Sequence, residues 1–117
     1  MQVGYVNVFV KNFPRAVEFF KNKLGLELQS EEAQFGYASF DGSPISFALA
    51  ETDDESLVGR HTGVGFMVTD IDKTYADLVA KGVEFEMEPT KQPWGRTLAL
   101  FKDPDGNIFY LDPGSHH

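Results

Sequence analysis

Few side chains in this sequence have chemistry to offer, and their types decide which kind. Tyr5, Tyr110 and Asp112 can exchange protons, His61 is the one histidine away from the terminal tail, and Pro93-Trp94-Gly95-Arg96 sets an indole beside a guanidinium. The chain has no cysteine, which excludes thiol catalysis, disulfides and cysteine-held metals. No serine shares a motif with a histidine outside that tail, so a hydrolase nucleophile has no base beside it. Gly63-Val64-Gly65 lies in a strand pattern and lacks the third spaced glycine of a phosphate loop. Two kinds of chemistry remain. One is acid–base work by Tyr5, Tyr110 and Asp112 without a metal. The other is recognition by aromatic walls with sparse polar anchors. Trp94 lies in a loop, where an indole either stacks on a planar ligand or anchors the loop. Arg96 either binds an anionic group or pairs with a nearby aspartate.

The 117 residues suit one domain, and 42% hydrophobic content with eleven phenylalanines is enough for a core. The net charge of −8 argues against nucleic acid, whose phosphates need a basic footprint. It favours a cationic guest, or simply solubility. No apolar run reaches membrane-spanning length, and strand material begins by Val3, leaving no room for a signal peptide. The expectation is a cytoplasmic protein. Gly114-Ser115-His116-His117 reads as part of an expression-tag remnant over 113–117, so His116 and His117 are set aside as site residues.

The elements that must hold these residues follow from periodicity. Gly4 to Val10 alternates, with Val6, Val8 and Val10 on one face and Tyr5, Asn7 and Phe9 on the other. Asn12 is a helix N-cap with Pro14 in the first turn. Phe13, Val17, Phe20 and Leu24 recur at helical spacing, and Gly25 stands where a left-handed cap belongs. Strands follow over 26–31, 34–40 and 44–50, the last two joined by Asp41-Gly42-Ser43. The acidic stretch 51–60 reads as a solvated linker. Then the pattern restarts. Val64, Phe66 and Val68 alternate, and Asp70 caps a helix with apolar positions Ile71, Tyr75, Leu78 and Val79. Gly82 ends that helix, and strands follow over 83–88, 96–101 and 107–111. Between the last two, Asp103-Pro104-Asp105-Gly106 is a turn.

This is an internal repeat. Val10, Asn12 and Phe13 match Val68, Asp70 and Ile71 at an offset of 58, and Asp41-Gly42 matches Asp105-Gly106. The fold class is α+β, two tandem βαβββ modules at about 3–50 and 61–112 within a single domain over 1–112. A half this small cannot bury its sheet alone, so the halves must pack on each other or on another chain.

A duplicated βαβββ module carrying residues 10–28 (VKNFPRAVEFFKNKLGLEL), 65–72 (GFMVTDID), 93–96 (PWGR) and 102–107 (KDPDGN) resembles the vicinal oxygen chelate superfamily. That group includes glyoxalase I, extradiol dioxygenases, and fosfomycin and bleomycin resistance proteins. The resemblance implies an open eight-stranded barrel-like sheet with a helix outside each module. It also implies a homodimer, in which modules pair within one chain or are exchanged between two. Metal-dependent members of the family project His, Gln or Glu from four strands. In this sequence the matching positions hold Tyr5, Gly63, Tyr110 and either Ser46 or Ala48. Glycine and alanine have no donor atom, and neutral hydroxyls replace imidazole or carboxylate poorly. The resemblance therefore implies no metal cofactor. His61, two residues before Gly63, is the candidate metal ligand should the register differ.

Strand parity gives the inner face: Tyr5, Asn7 and Phe9; Tyr37; Ser46 and Ala48; Gly63, Gly65 and Met67; Ile108, Tyr110 and Asp112. With Trp94 and Arg96 at the rim, these form an aromatic cup. The leading expectation is metal-independent binding of a small aromatic or drug-like molecule, resembling bleomycin-resistance-type sequestration, with no nucleic-acid or membrane partner. One alternative is a metal-dependent lyase, isomerase or oxygenase of the glyoxalase or dioxygenase type. Another is a regulatory module whose interior is merely packed.

Overall fold

Each half of the chain begins with an alternating strand whose valine-rich face needs a cover, and each supplies that cover with the next element, a capped helix. The computed structural model describes residues 1–114; Ser115 to His117, most of the expected tag remnant, lie outside the described residues. Two units result, Met1 to Gly59 and Arg60 onward.

In the first unit, β1 (Tyr5–Val10) leads into α1 (Phe13–Glu18). The Asn12 side chain accepts from the Arg15 amide at 3.2 Å, as an N-cap should. The α-helix is shorter than its apolar spacing predicts. Over Phe19–Lys23 it widens into a π-turn, with the Leu24 amide reaching back to the Phe19 carbonyl. Phe19 and Phe20 are both buried on this turn. Gly25 then takes φ 74°, ending the helix where the sequence places its end.

Strands β2 (Leu28–Glu32), β3 (Tyr37–Asp41) and β4 (Ser46–Glu51) complete a sheet in the order β1-β4-β3-β2. β1 runs parallel to β4, and the other pairs are antiparallel. One expectation is corrected here. Gln34 and Phe35 belong to a 3₁₀ turn over Ala33–Phe35, not to β3. Gly36 follows at φ 62°, and an added Cβ there would meet the Glu51 Cβ at 2.5 Å, so only glycine fits. The residues expected in the acidic linker are fastened to this unit. The Thr52 amide donates to Val10 O, Asp54 caps a short turn through Ser56, and Lys11 pairs with Glu55.

The second unit repeats the plan with β5 (His61–Met67), α2 (Ile71–Ala80), β6 (Glu84–Lys91), β7 (Thr97–Lys102) and β8 (Ile108–Asp112), in the sheet order β5-β8-β7-β6. β5 and β8 are parallel. Asp70 caps α2 through the Lys73 amide at 3.1 Å. Val79, expected on the apolar face of α2, is exposed; Ile71 and Leu78 are buried. No helix among the described residues is long and apolar enough to cross a membrane.

Each sheet turns one face to its own helix. In the first unit Val8, Val10, Phe40, Phe47 and Leu49 are buried with Phe13, Ala16, Val17 and Phe20. The Phe20 ring lies 5.1 Å from Phe47. In the second, Phe101 stacks on Phe109 at 5.5 Å, Phe66 lies 5.6 Å from Phe109, and Tyr75 of α2 meets Phe85 edge-on at 4.7 Å. A buried phenylalanine contributes about 1.5–3 kcal/mol through removal from water. These clusters therefore hold each sheet to its helix, and they leave the opposite faces for other work.

Candidate functional site

The opposite face of the first sheet is set by register. Tyr5 pairs with Ser46, Asn7 with Ala48 and Phe9 with Ala50, while β3 places Tyr37 beside Ala50, Ser39 beside Ala48 and Asp41 beside Ser46. Paired residues project to the same side, so Tyr5, Asn7, Phe9, Tyr37, Ser46 and Ala48 share one face. Tyr5 is 61% exposed, Phe9 and Tyr37 are half-buried, and Ala48 is covered at the sheet centre. The Ser46 hydroxyl donates to Gln29 Oε1 at 3.1 Å, and the Ser30 and Ser39 hydroxyls lie 3.0 Å apart. The Tyr5 and Tyr37 hydroxyls and the Asn7 side-chain amide make no hydrogen bond within the described residues.

On the second sheet, Gly65 pairs with Tyr110, Met67 with Asp112, and Tyr110 in turn with Leu100. Met67 is 72% exposed and Tyr110 half-buried. The repeat offset makes Gly65 the counterpart of Asn7. Their strand partners are Tyr110 and Ala48, so register makes Ala48, rather than Ser46, the counterpart of Tyr110.

Gly63 does not lie in a regular strand as expected. Between His61 and Gly65 the β5–β8 register is irregular, and Gly63 adopts φ 75°. The bulge changes what His61 meets. Its ring lies 4.9 Å from the Tyr110 ring, tilted by 60°, and its Nδ1 accepts from the Gly63 amide at 3.2 Å. The parity argument missed this contact. Glycine at both 63 and 65 was the available signal, since a glycine inside a strand pattern marks a bulge.

Trp94 sits in the β6–β7 connection, 66% exposed. Arg96 donates through Nη2 to Asp112 Oδ1 at 2.7 Å, and the same oxygen accepts from the Gly114 amide at 2.8 Å. Of the two roles open to Arg96, the structure shows the aspartate partner. Phe35, 74% exposed, is an aromatic the sequence argument did not place on the site. It precedes Gly36, which like Gly95 after Trp94 adopts positive φ. Among the described residues no group of three or more His, Asp or Glu side chains is placed to hold a metal ion.

With this arrangement in view, comparison with known proteins is informative. Residues 2–111 match the family described as the Glyoxalase/Bleomycin resistance protein/Dioxygenase superfamily, and the chain belongs to it. It is 33% identical to YraH, an uncharacterised protein of Bacillus subtilis (strain 168), over 95% of this chain and 97% of that one. A superfamily member from Sphaerobacter thermophilus DSM 20745 has a similar structure, with TM-score 0.82, 28% identity and 96% of each chain covered. TnmS3, an antibiotic binding protein from Streptomyces sp. CB03234, superposes with TM-score 0.81 and 26% identity over 96% of this chain and 94% of its own.

Proposed function

We propose that this protein binds a small, planar aromatic or drug-like molecule on the helix-free faces of its sheets, without a metal and without turning it over. The observation that carries the proposal is the occupancy of the family's four ligand positions. Tyr5, Ala48 and Tyr110 offer two phenols and a methyl group, and Gly63 sits in a bulge with no side chain. This donor set does not fit a divalent cation, which wants imidazole, carboxylate or thiolate. His61 does not repair it. Its Nδ1 lone pair is taken by the Gly63 amide. A neutral imidazole so engaged carries its proton on Nε2, where a metal would have to bind.

The same faces suit an organic guest. The first offers exposed Tyr5 with the uncommitted Tyr37 hydroxyl and Asn7 side-chain amide, and the second exposed Met67 with the uncommitted Tyr110 hydroxyl. The likeness to TnmS3, an antibiotic binding protein, supports the same reading.

A thermal-shift screen of tag-free protein against planar aromatic drugs and dyes tests the proposal. The expected outcome is a rise in melting temperature for a subset of polycyclic compounds, with the ligand recovered unchanged. A full panel with no shift, or steady conversion of the ligand, contradicts it.

A further inference from the structure

We infer that His61 presents its Nε2–H to the bound molecule, so that this face selects planar aromatics carrying a hydrogen-bond acceptor oxygen. The inference rests on the binding function proposed above. It starts from the irregular entry of β5. Across the bulge two adjacent amides are taken up by side chains. The Val64 amide donates to Thr62 Oγ1 at 3.1 Å, while the Thr62 hydroxyl donates to Ile108 O at 2.7 Å. The Gly63 amide donates to His61 Nδ1 at 3.2 Å. His61 thus acts here as an acceptor through one nitrogen, which in the neutral ring makes the other an obligate donor.

Two contacts fix the direction of that donor. Nδ1 is tied to Gly63, and the ring stands against Tyr110 with centroids 4.9 Å apart. Nε2 lies on the far side of the ring from the Gly63 amide. The side chain is exposed, and no described residue accepts from Nε2. Charged groups on the adjoining strands are engaged with one another. On β8 Asp112 holds Arg96, and on β7 Lys102 reaches Glu86 at 3.1 Å. The Tyr110 hydroxyl has no partner among the described residues. Gly63 leaves open space beside this pair, since an added Cβ there would meet nothing within 4 Å. The result is a fixed donor and an adaptable phenol at the edge of an aromatic surface. An aromatic carbonyl matches it; a hydrocarbon of the same shape leaves the donor without an acceptor.

Two measurements test this. Long-range proton–nitrogen correlation spectra of the neutral imidazole should show His61 as the Nε2–H tautomer in the free protein. An Nδ1–H tautomer overturns the inference without reference to any ligand. The second measurement compares 2-acetylnaphthalene with 2-isopropenylnaphthalene, which has the same shape and no acceptor, by calorimetric titration. Wild type should prefer the ketone by about three- to tenfold, the range of one neutral hydrogen bond. H61F keeps a ring over Tyr110 and should lose the preference. H61D keeps an acceptor for the Gly63 amide but has no hydrogen to donate, so it should lose the preference too, with that amide still protected from exchange. A preference that survives in both variants overturns the inference while leaving the binding function standing. If neither naphthalene binds wild type, the inference fails, while the binding function stands or falls on the thermal-shift panel.

Discussion

Asp103 shows how much one side chain can organise. Its carboxylate accepts from the Asp105 amide at 2.9 Å, the Asn107 amide at 2.9 Å and the Asn107 side chain at 2.8 Å, all inside the β7–β8 turn. Both Asp103 and Asn107 are buried. Burial pushes the Asp103 carboxyl above its ordinary value, and the hydrogen bonds from Asn107 only partly pull it back. Between the ordinary and the raised value the folded chain holds more protons than the unfolded one. Acidification through that window therefore favours folding, and raising the pH through it costs stability. D103N should cost about 1–3 kcal/mol near neutrality, because an amide then faces the Asn107 amide. The gap between wild type and D103N should widen as pH falls toward the ordinary carboxylate value. Urea unfolding at several pH values checks both. At this scale the sequence was legible where chemistry is local. Asn12 and Asp70 cap their helices, and Gly25 and Gly82 end them, because each needs only its own backbone. The His61–Tyr110 contact was not legible. It depends on a bulge, and a bulge depends on the pairing of two distant strands.

Among the elements, the departures lie where tertiary context sets local structure. The π-turn carries Phe19 and Phe20, both buried, and periodicity alone does not register the widening. Strand ends differ from the expected ones by up to three residues, as at the start of β3 and the end of β6, since pairing partners rather than propensity set them. Edge strands carry their own signal. β2 ends in Glu31 and Glu32, and β6 exposes Glu84, Glu86 and Glu88, charges that discourage strand addition at one edge of each sheet. Lys102 reaches across to Glu86 and Glu84, and this pairing raises its pKa. The helix-to-sheet contact in the first unit centres on Phe20, fully buried against Phe40 and Phe47. F20A should cost about 3–5 kcal/mol, read as a lower urea midpoint. A loss below about 1 kcal/mol would show that the π-turn places little weight on this ring.

For the whole molecule, duplication was legible from the sequence, because caps, glycines and turn motifs recur at a near-constant offset, and both sheets repeat the same strand order. The guest was not legible, because superfamily membership fixes architecture and leaves chemistry to a handful of positions. Net charge adds a bias at this scale. With −8 on the chain, a cationic aromatic should bind more tightly than its neutral isostere, and the difference should shrink as salt screens the field. Titrations at low and high ionic strength check that; a preference unchanged by salt would assign it to a local contact instead. The central claim is binding that needs no metal. Calorimetric titration of tag-free, chelator-treated protein with a ligand found by thermal shift tests it most directly, repeated after adding Zn²⁺, Ni²⁺, Mn²⁺ or Fe²⁺. The account predicts saturable stoichiometric binding with the same affinity in every case. Binding or turnover that appears only once metal is restored would contradict it.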